Sequence, residues 1–475
     1  MISIKHSWLS HVQKIGLLLL LGAIIPVFTG LDTFWLAYPY DESRALQMVA
    51  LAVLSVVALL SVGFGEEAHR PPFAFSPASR RTLVVLGGVL TPGFLLTLAG
   101  APVPVYSLSD AGLWLILTAG AIGGYMAMRA NPRFAAALSG VAALLPLLCV
   151  LRLFHSLWVV RHGGQPEDWQ PNFANMRIYD SAVLASLFLL WARPGWLSRP
   201  VWRWPVVVIS GLYLMSLLVD GARSVLLGMA IGLGGVALMQ RERWREWGGQ
   251  AAALVLGGLL FALVSNGLHA SADTLVSGGD LVRQDDSGRL PLWSKAWMIW
   301  HNHPLTGIGG GIFGAALPAG PLMHPHNLPL MLISEWGVTG MTLLVLLGIV
   351  ARQLWVHRRT VPPMLLAGVA AIAVDSLFSG NMVYPTTQLL CLWTGALALA
   401  HTPLADQGEN RYGWQVAGKT VVLLLAVTGI LALTVQHAGD LRCVGCISKD
   451  DFGSPRFWQF GRAIHLTPDP SRAAP

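Results

Sequence analysis

Apolar stretches of similar length recur along the whole chain, each closed by a short polar segment. Runs near the roughly twenty residues needed to cross bilayer hydrocarbon fall at about 15–34, 45–64, 82–100, 111–128, 134–154, 179–192, 205–220, 223–240, 249–266, 328–350, 362–379, 386–401 and 417–436. Backbone polar groups at an open sheet edge have no partners in lipid, so these runs are expected to be helices. The first run is followed too closely by further spans to read as a cleaved signal peptide. The expected fold is an all-α polytopic integral membrane protein with about 12–13 transmembrane helices. It divides into an N-terminal bundle over 1–266 with an exported loop at 155–178, a large exported loop at 267–327, C-terminal helices over 328–436, and an exported tail at 437–475.

Charge supports that reading. Only 12% of the 475 residues are charged and 54% are hydrophobic, about half the charge of a soluble domain. With the N-terminus inside, eighteen Lys and Arg fall in cytoplasmic segments: Lys5 and Lys14, Arg70, Arg80 and Arg81, Arg129 and Arg133, Arg193, Arg199 and Arg203, Arg241, Arg243 and Arg245, Arg352, Arg358 and Arg359, and Arg411 and Lys419. The opposite short loops hold Arg44, Arg152, Arg161, Arg177 and Arg223. The bias follows the positive-inside rule. The net charge of +7 therefore anchors loops against membrane lipids and gives no reason to expect a nucleic-acid partner.

Several signals are bland. Cys443 and Cys446 in the tail fit a small disulfide or plain thiols, whereas a zinc or redox site would want a second pair. Cys149 and Cys391 fall inside spans and read as small core residues. The glycine-rich piece TGIGGGIFG, 306–314, lacks the Lys-Ser/Thr of a phosphate loop and a strand before it, so no ATP-driven motor is indicated.

The polar chemistry gathers in the exported loops. Trp293, Trp297 and Trp300 recur at helical spacing, as an interfacial anchor or a sugar-stacking platform. Arg289 can grip a phosphate with two parallel hydrogen bonds. His326 falls at the exported end of the span beginning near Leu328, where an imidazole can take a proton from a hydroxyl near neutral pH. His324 is the alternative base, and Asn327 is placed to orient the ring or a substrate oxygen. Glu335 sits about two turns into the span, where it must be paired, protonated or facing a polar cavity. Gly337 and Gly340, three apart, are expected to let another helix pack closely. In the loop 155–178, Gln170, Asn172, Asn175, Tyr179 and Asp180 suit sugar hydroxyls, and Arg161 and Arg177 are further cations. Arg223 opens a span, where it needs an anion or a carboxylate such as Asp220. His301, His303, His324 and His326 alternate with other residues and match no zinc pattern of the His-Glu-x-x-His kind.

One combination is specific. His326-Asn327, then nine residues, then Gly337-Val338-Thr339-Gly340 resembles the bacterial O-antigen ligase, O-oligosaccharyltransferase and O-antigen polymerase superfamily. Upstream, Arg289, Trp293, Pro304, Gly307 and Gly309 stand where that superfamily has an Arg, a Trp-bearing helix and Pro-x-x-Gly-x-Gly. Arg223-Ser224 resembles its Ser-Arg element with the order inverted. The resemblance is carried mostly by 290–340.

What the resemblance implies is a lipid-carrier-dependent, membrane-embedded glycosyltransferase. It would move a preassembled glycan from undecaprenyl diphosphate to an acceptor hydroxyl at the periplasmic face of the bacterial inner membrane, with no metal or other cofactor. Fixed cations would then hold the diphosphate: Arg223, Arg289, Arg177 and Arg161, with Arg283 in support. His326 would accept the hydroxyl proton, and a single displacement would invert the anomeric carbon. The expected acceptor is lipid A-core, as in O-antigen ligases. The alternatives are Ser or Thr of an exported protein such as pilin, a growing polymer, or transport of a lipid-linked sugar. Transport would predict inverted repeats and a midplane site, which the sequence does not offer.

Overall fold

The computed structural model describes residues 2–29, 39–64, 77–102, 104–165, 168–170, 173, 176–242, 247–268, 288–316, 324–403, 427–431 and 433. Among the described residues there are α-helices, short 3-10 turns and no strand. The first twelve expected spans all fall on helices, and of the thirteenth, 417–436, only 427–431 and 433 are described. The helices are α1 (Ile2–Thr29), α2 (Pro39–Phe64), α3 (Pro77–Gly100), α4 (Pro104–Ala130), α5 (Pro132–Leu144), α6 (Leu147–Arg161), α7 (Met176–Ala192), α8 (Arg203–Val219), α9 (Arg223–Met239), α10 (Gly248–Leu268), α11 (Arg289–Asn302), α12 (Leu328–Val356), α13 (Pro363–Asp375) and α14 (Pro385–Ala400). Six segments among the described residues are long and apolar enough to cross a membrane: Trp8–Thr29, Ser107–Ala130, Pro132–Arg161, Pro200–Val219, Gly248–Ser265 and Leu328–Val356.

The run expected at 134–154 is interrupted at Leu145–Pro146, because proline cannot donate the helical hydrogen bond. The run expected at 362–379 stops at Asp375, and a turned segment, 376–384, follows before α14.

The shortest expected span, 179–192, becomes the centre of the bundle. Every residue of α7 from Ile178 to Trp191 is buried, against α13, α14, α5 and α8. A helix apolar on all sides belongs in the interior of a protein, so it need not be as long as one that meets lipid. Small residues bring neighbours close. A side-chain carbon on Gly228 or Gly232 of α9 would lie 2.6 Å from the Ala371 carbonyl oxygen or 2.4 Å from that of Ala367 on α13. α10 lies at the periphery, packs on α8 and exposes Leu254, Val255, Leu259 and Leu263.

Polar ties sort the helix ends into two groups. At one end Arg129 donates to the carbonyl oxygens of Ala400 and Thr402, Asn131 to Gln13 and Gln240 to the carbonyl of Arg358. This is the end with the many basic residues. At the other end Gln170 donates to Asp220, Ser181 to Asp375 and Leu328 N–H to the Ser376 carbonyl. Arg44 belongs to this second group. It is fully buried, and it joins α2 to α14 by donating to Gln47, Gln388 and the Val383 carbonyl.

Candidate functional site

The 376–384 turn is the floor on which the second group of ends converges. Asp375 holds it together: its carboxylate accepts from Ser379 and Asn381 within the turn at 2.8 and 3.0 Å, and from Ser181 on α7 at 2.7 Å. Main-chain oxygens of the turn are thereby fixed as acceptors. Leu377 takes the Asn327 side-chain N–H at 3.0 Å, and Phe378 takes the Arg289 Nε–H at 3.1 Å.

Asn327 is the N-cap of α12. Its side-chain oxygen accepts from Leu330 N–H at 2.9 Å, the usual way in which Asn satisfies an orphan amide at a helix start. With its NH2 on Leu377, both ends of the amide are engaged in holding the helix start. The Trp293 indole N–H donates to the Pro325 carbonyl at 3.0 Å, and its ring lies 5.9 Å from that of Phe378. Thus α11 carries both Arg289 and the clamp on the histidine segment. The three tryptophans of α11 separate: Trp293 is half-buried at the site, while Trp297 is 54% exposed and paired with Trp300 at 4.8 Å between ring centres.

His326 has a left-handed backbone, φ +51°, which is uncommon outside glycine and is found at sites where surrounding contacts hold it. The residue is half-buried. Burial lowers its pKa, the charges of Arg177 and Arg289 lower it further, and the result is about 4. The ring is therefore a neutral imidazole near pH 7. His324 differs: it is buried, and its Nδ1 accepts the His326 backbone N–H at 3.1 Å.

The remaining candidates scatter. Arg177 is exposed in the first turn of α7, and Arg289 is half-buried. Arg223 opens α9. Its neighbour Ser224 lies beside Asp375, which places that helix start next to the same floor. Asp220 accepts from the Gln170 side-chain N–H at 2.6 Å. Arg161 stands exposed in the last turn of α6, and its charge is not among those that shift His326. Arg283, Asn172 and Asn175 lie outside the described residues, as do Cys443 and Cys446. Among the described residues, no three His, Cys, Asp or Glu side chains gather as metal ligands would.

The glycines act otherwise than the spacing suggests. Gly337 takes φ 52°, ψ −127°, and breaks α12. The glycine-rich loop fills the break: Ile308 N–H donates to the Ser334 carbonyl, Gly309 N–H to that of Glu335, and Val338 N–H to that of Leu305. A side-chain carbon on Gly340 would meet its own helix, 2.0 Å from the Leu332 carbonyl oxygen. The pair therefore shapes a discontinuous helix around a loop and does not form a helix-packing face. Glu335 is fully buried there and accepts from Gly311 N–H and Phe313 N–H, both at 3.3 Å.

The floor leaves little trace in the sequence. Asp375 lies inside an apolar run, and a carboxylate there is a signal of function or of a polar network. Phe378, Gly380 and Tyr384 carry no such signal.

The family model described as O-antigen ligase matches residues 208–345. That stretch spans α8 to most of α12 and includes Arg223, Arg289, the His-Asn motif and both glycines. It bears out the resemblance to the O-antigen ligase and polymerase superfamily over those residues. No curated protein matches the chain.

Proposed function

We propose, from the O-antigen ligase type of residues 208–345, that the protein transfers a preassembled glycan from undecaprenyl diphosphate to a hydroxyl of lipid A-core at the periplasmic face of the inner membrane. The observation that carries this reading is His326: a half-buried, neutral imidazole in a left-handed backbone, under the influence of two arginine charges.

In this reading Arg289 and Arg177 hold the diphosphate, and Arg223 adds charge from the start of α9. The acceptor oxygen attacks the anomeric carbon, and the bond from that carbon to the diphosphate breaks. The electron pair leaves with the diphosphate, which the arginines stabilise. The hydroxyl proton passes to the His326 ring, which contributes about 10²–10⁴-fold as a general base. Attack opposite the leaving group inverts the anomeric carbon. Asn327, capping α12, fixes where the ring is presented.

The test is a reconstituted transfer of undecaprenyl-diphosphate glycan, with lipid A-core or a pilin peptide as acceptor. Wild type is compared with folded His326→Ala, in EDTA. Product on lipid A-core that is lost in the variant is expected. Product on the peptide alone would move the protein to the protein-modifying branch. Full activity of His326→Ala would remove His326 as the base.

A further inference from the structure

We propose that His324 is a positioning residue, whose neutral side chain holds His326 in its left-handed conformation by accepting the His326 backbone N–H. The inference rests on the role proposed for His326.

The segment His324-Pro325-His326 folds back on itself. The Nδ1 of His324 reaches two residues forward to the main-chain amide of His326 at 3.1 Å, and the two rings lie 4.2 Å apart at 52°. An asparagine or aspartate side chain makes the same two-residue reach in turns. A nitrogen that accepts carries no proton. The His324 ring is therefore neutral through this bond, with its proton on Nε2.

The ring is held for that duty. It is 3% exposed. Tyr384 meets it edge-on at 5.9 Å between ring centres. Gly380 lies so close that a side-chain carbon there would be 2.4 Å from Cε1 and 2.7 Å from Nε2. Gly380 and Tyr384 both belong to the turn that Asp375 organises, so the same floor that holds Arg289 and Asn327 also seats His324. Trp293 holds the intervening Pro325 carbonyl through its indole N–H. His326, at φ +51°, is thus fixed through its own amide and through the residue before it. The acceptor at Nδ1 stabilises a conformation that is uncommon for a non-glycine residue.

This assignment separates the two histidines. His326 meets substrate, and His324 acts through it. His324→Asn keeps an acceptor at the same number of bonds from the backbone, whereas His324→Phe keeps the ring and removes the acceptor. In the reconstituted transfer assay, His324→Phe is expected to lower kcat about 10²-fold while KM for the lipid-linked donor stays within about threefold. His324→Asn is expected to restore kcat to within about tenfold of wild type. His324→Leu, also without an acceptor, serves where a phenyl ring does not fit beside Gly380. Wild-type kcat in a folded acceptor-less variant overturns the proposal, as does an Asn variant that is folded and no better than Phe. Loss of activity in His326→Ala together with full activity in His324→Phe refutes this inference alone. Full activity in His326→Ala refutes the reading on which it rests.

Discussion

The carbonyl of Glu335 accepts from the N–H of Gly309 at 3.0 Å, a bond that an unbroken helix would make with Thr339. Ser334 likewise gives its carbonyl to Ile308, and Leu305 takes the N–H of Val338. Backbone groups freed by the break in α12 are thus answered by the glycine-rich loop, as they must be where water is scarce. The break turns on Gly337, whose φ of 52° and ψ of −127° suit glycine alone.

Gly337→Ala is therefore expected to prevent the loop from docking. The added carbon would lie 2.5 Å from the Leu305 carbonyl carbon and oxygen, both backbone atoms that cannot swing away. Gly348→Ala, on the same helix with nothing within 4 Å, is the control and should be stable, because alanine favours helix over glycine by about 1 kcal/mol. Thermal unfolding of the two variants in detergent checks this. Equal melting temperatures would contradict the account of the break.

Glu335 completes the same unit. Leu in its place would leave the Gly311 and Phe313 amides without their acceptor, at about 1–3 kcal/mol for each buried group. Hydrogen exchange at those two amides should then speed up more than at the α12 amides beyond Gly340. Glu335→Gln, which keeps one accepting oxygen, should fall between. Unchanged protection in Glu335→Leu would show that the carboxylate does not hold the loop.

Much of this was legible in the sequence, and the limit has a physical form. Apolar runs gave twelve helices at nearly the observed positions, since lipid demands long apolar segments with internal hydrogen bonding. His326, Asn327 and Arg289 were expected at one end of the spans, and Arg289 and Asn327 do bond neighbouring carbonyls of one turn. Backbone dihedrals left no mark on that pattern: Gly337 within an apolar run reads as a packing glycine, and only the fold reveals that it breaks the helix. The floor under the histidines was equally hidden. Its acceptors are main-chain carbonyls of Leu377 and Phe378, and any residue type supplies a carbonyl.

The arginines should divide by position. Arg289→Ala is expected to raise KM for the donor at least tenfold and to loosen α11, because the Nε–H bond to Phe378 is lost. Arg289→Lys keeps the charge without the planar fork and should recover little. Arg177→Ala should weaken the donor less, from an exposed position. Arg161→Ala, whose charge is not among those that shift His326, should change KM within about twofold. A large effect confined to Arg161 would reverse this order.

The pH dependence of transfer tests how those same charges act on His326. Burial and the two arginines lower its pKa from 6.5 to about 4. The unfolded chain would take up a proton as the pH falls through 6.5, while the folded chain refuses it until about 4, so this residue lowers stability progressively across that window. For catalysis the sign is opposite in effect. The ring stays unprotonated and able to accept a proton throughout the same window, so kcat/KM for free enzyme should hold on the acid side well below pH 6.5. A bound diphosphate brings negative charge to Arg177 and Arg289 and offsets their influence. The acid limb of kcat should therefore lie at higher pH than that of kcat/KM, and Arg177→Ala should move the kcat/KM limb upward. An acid limb of kcat/KM near 6.5 in the wild type, unmoved in Arg177→Ala, would mean that the arginines do not tune this imidazole.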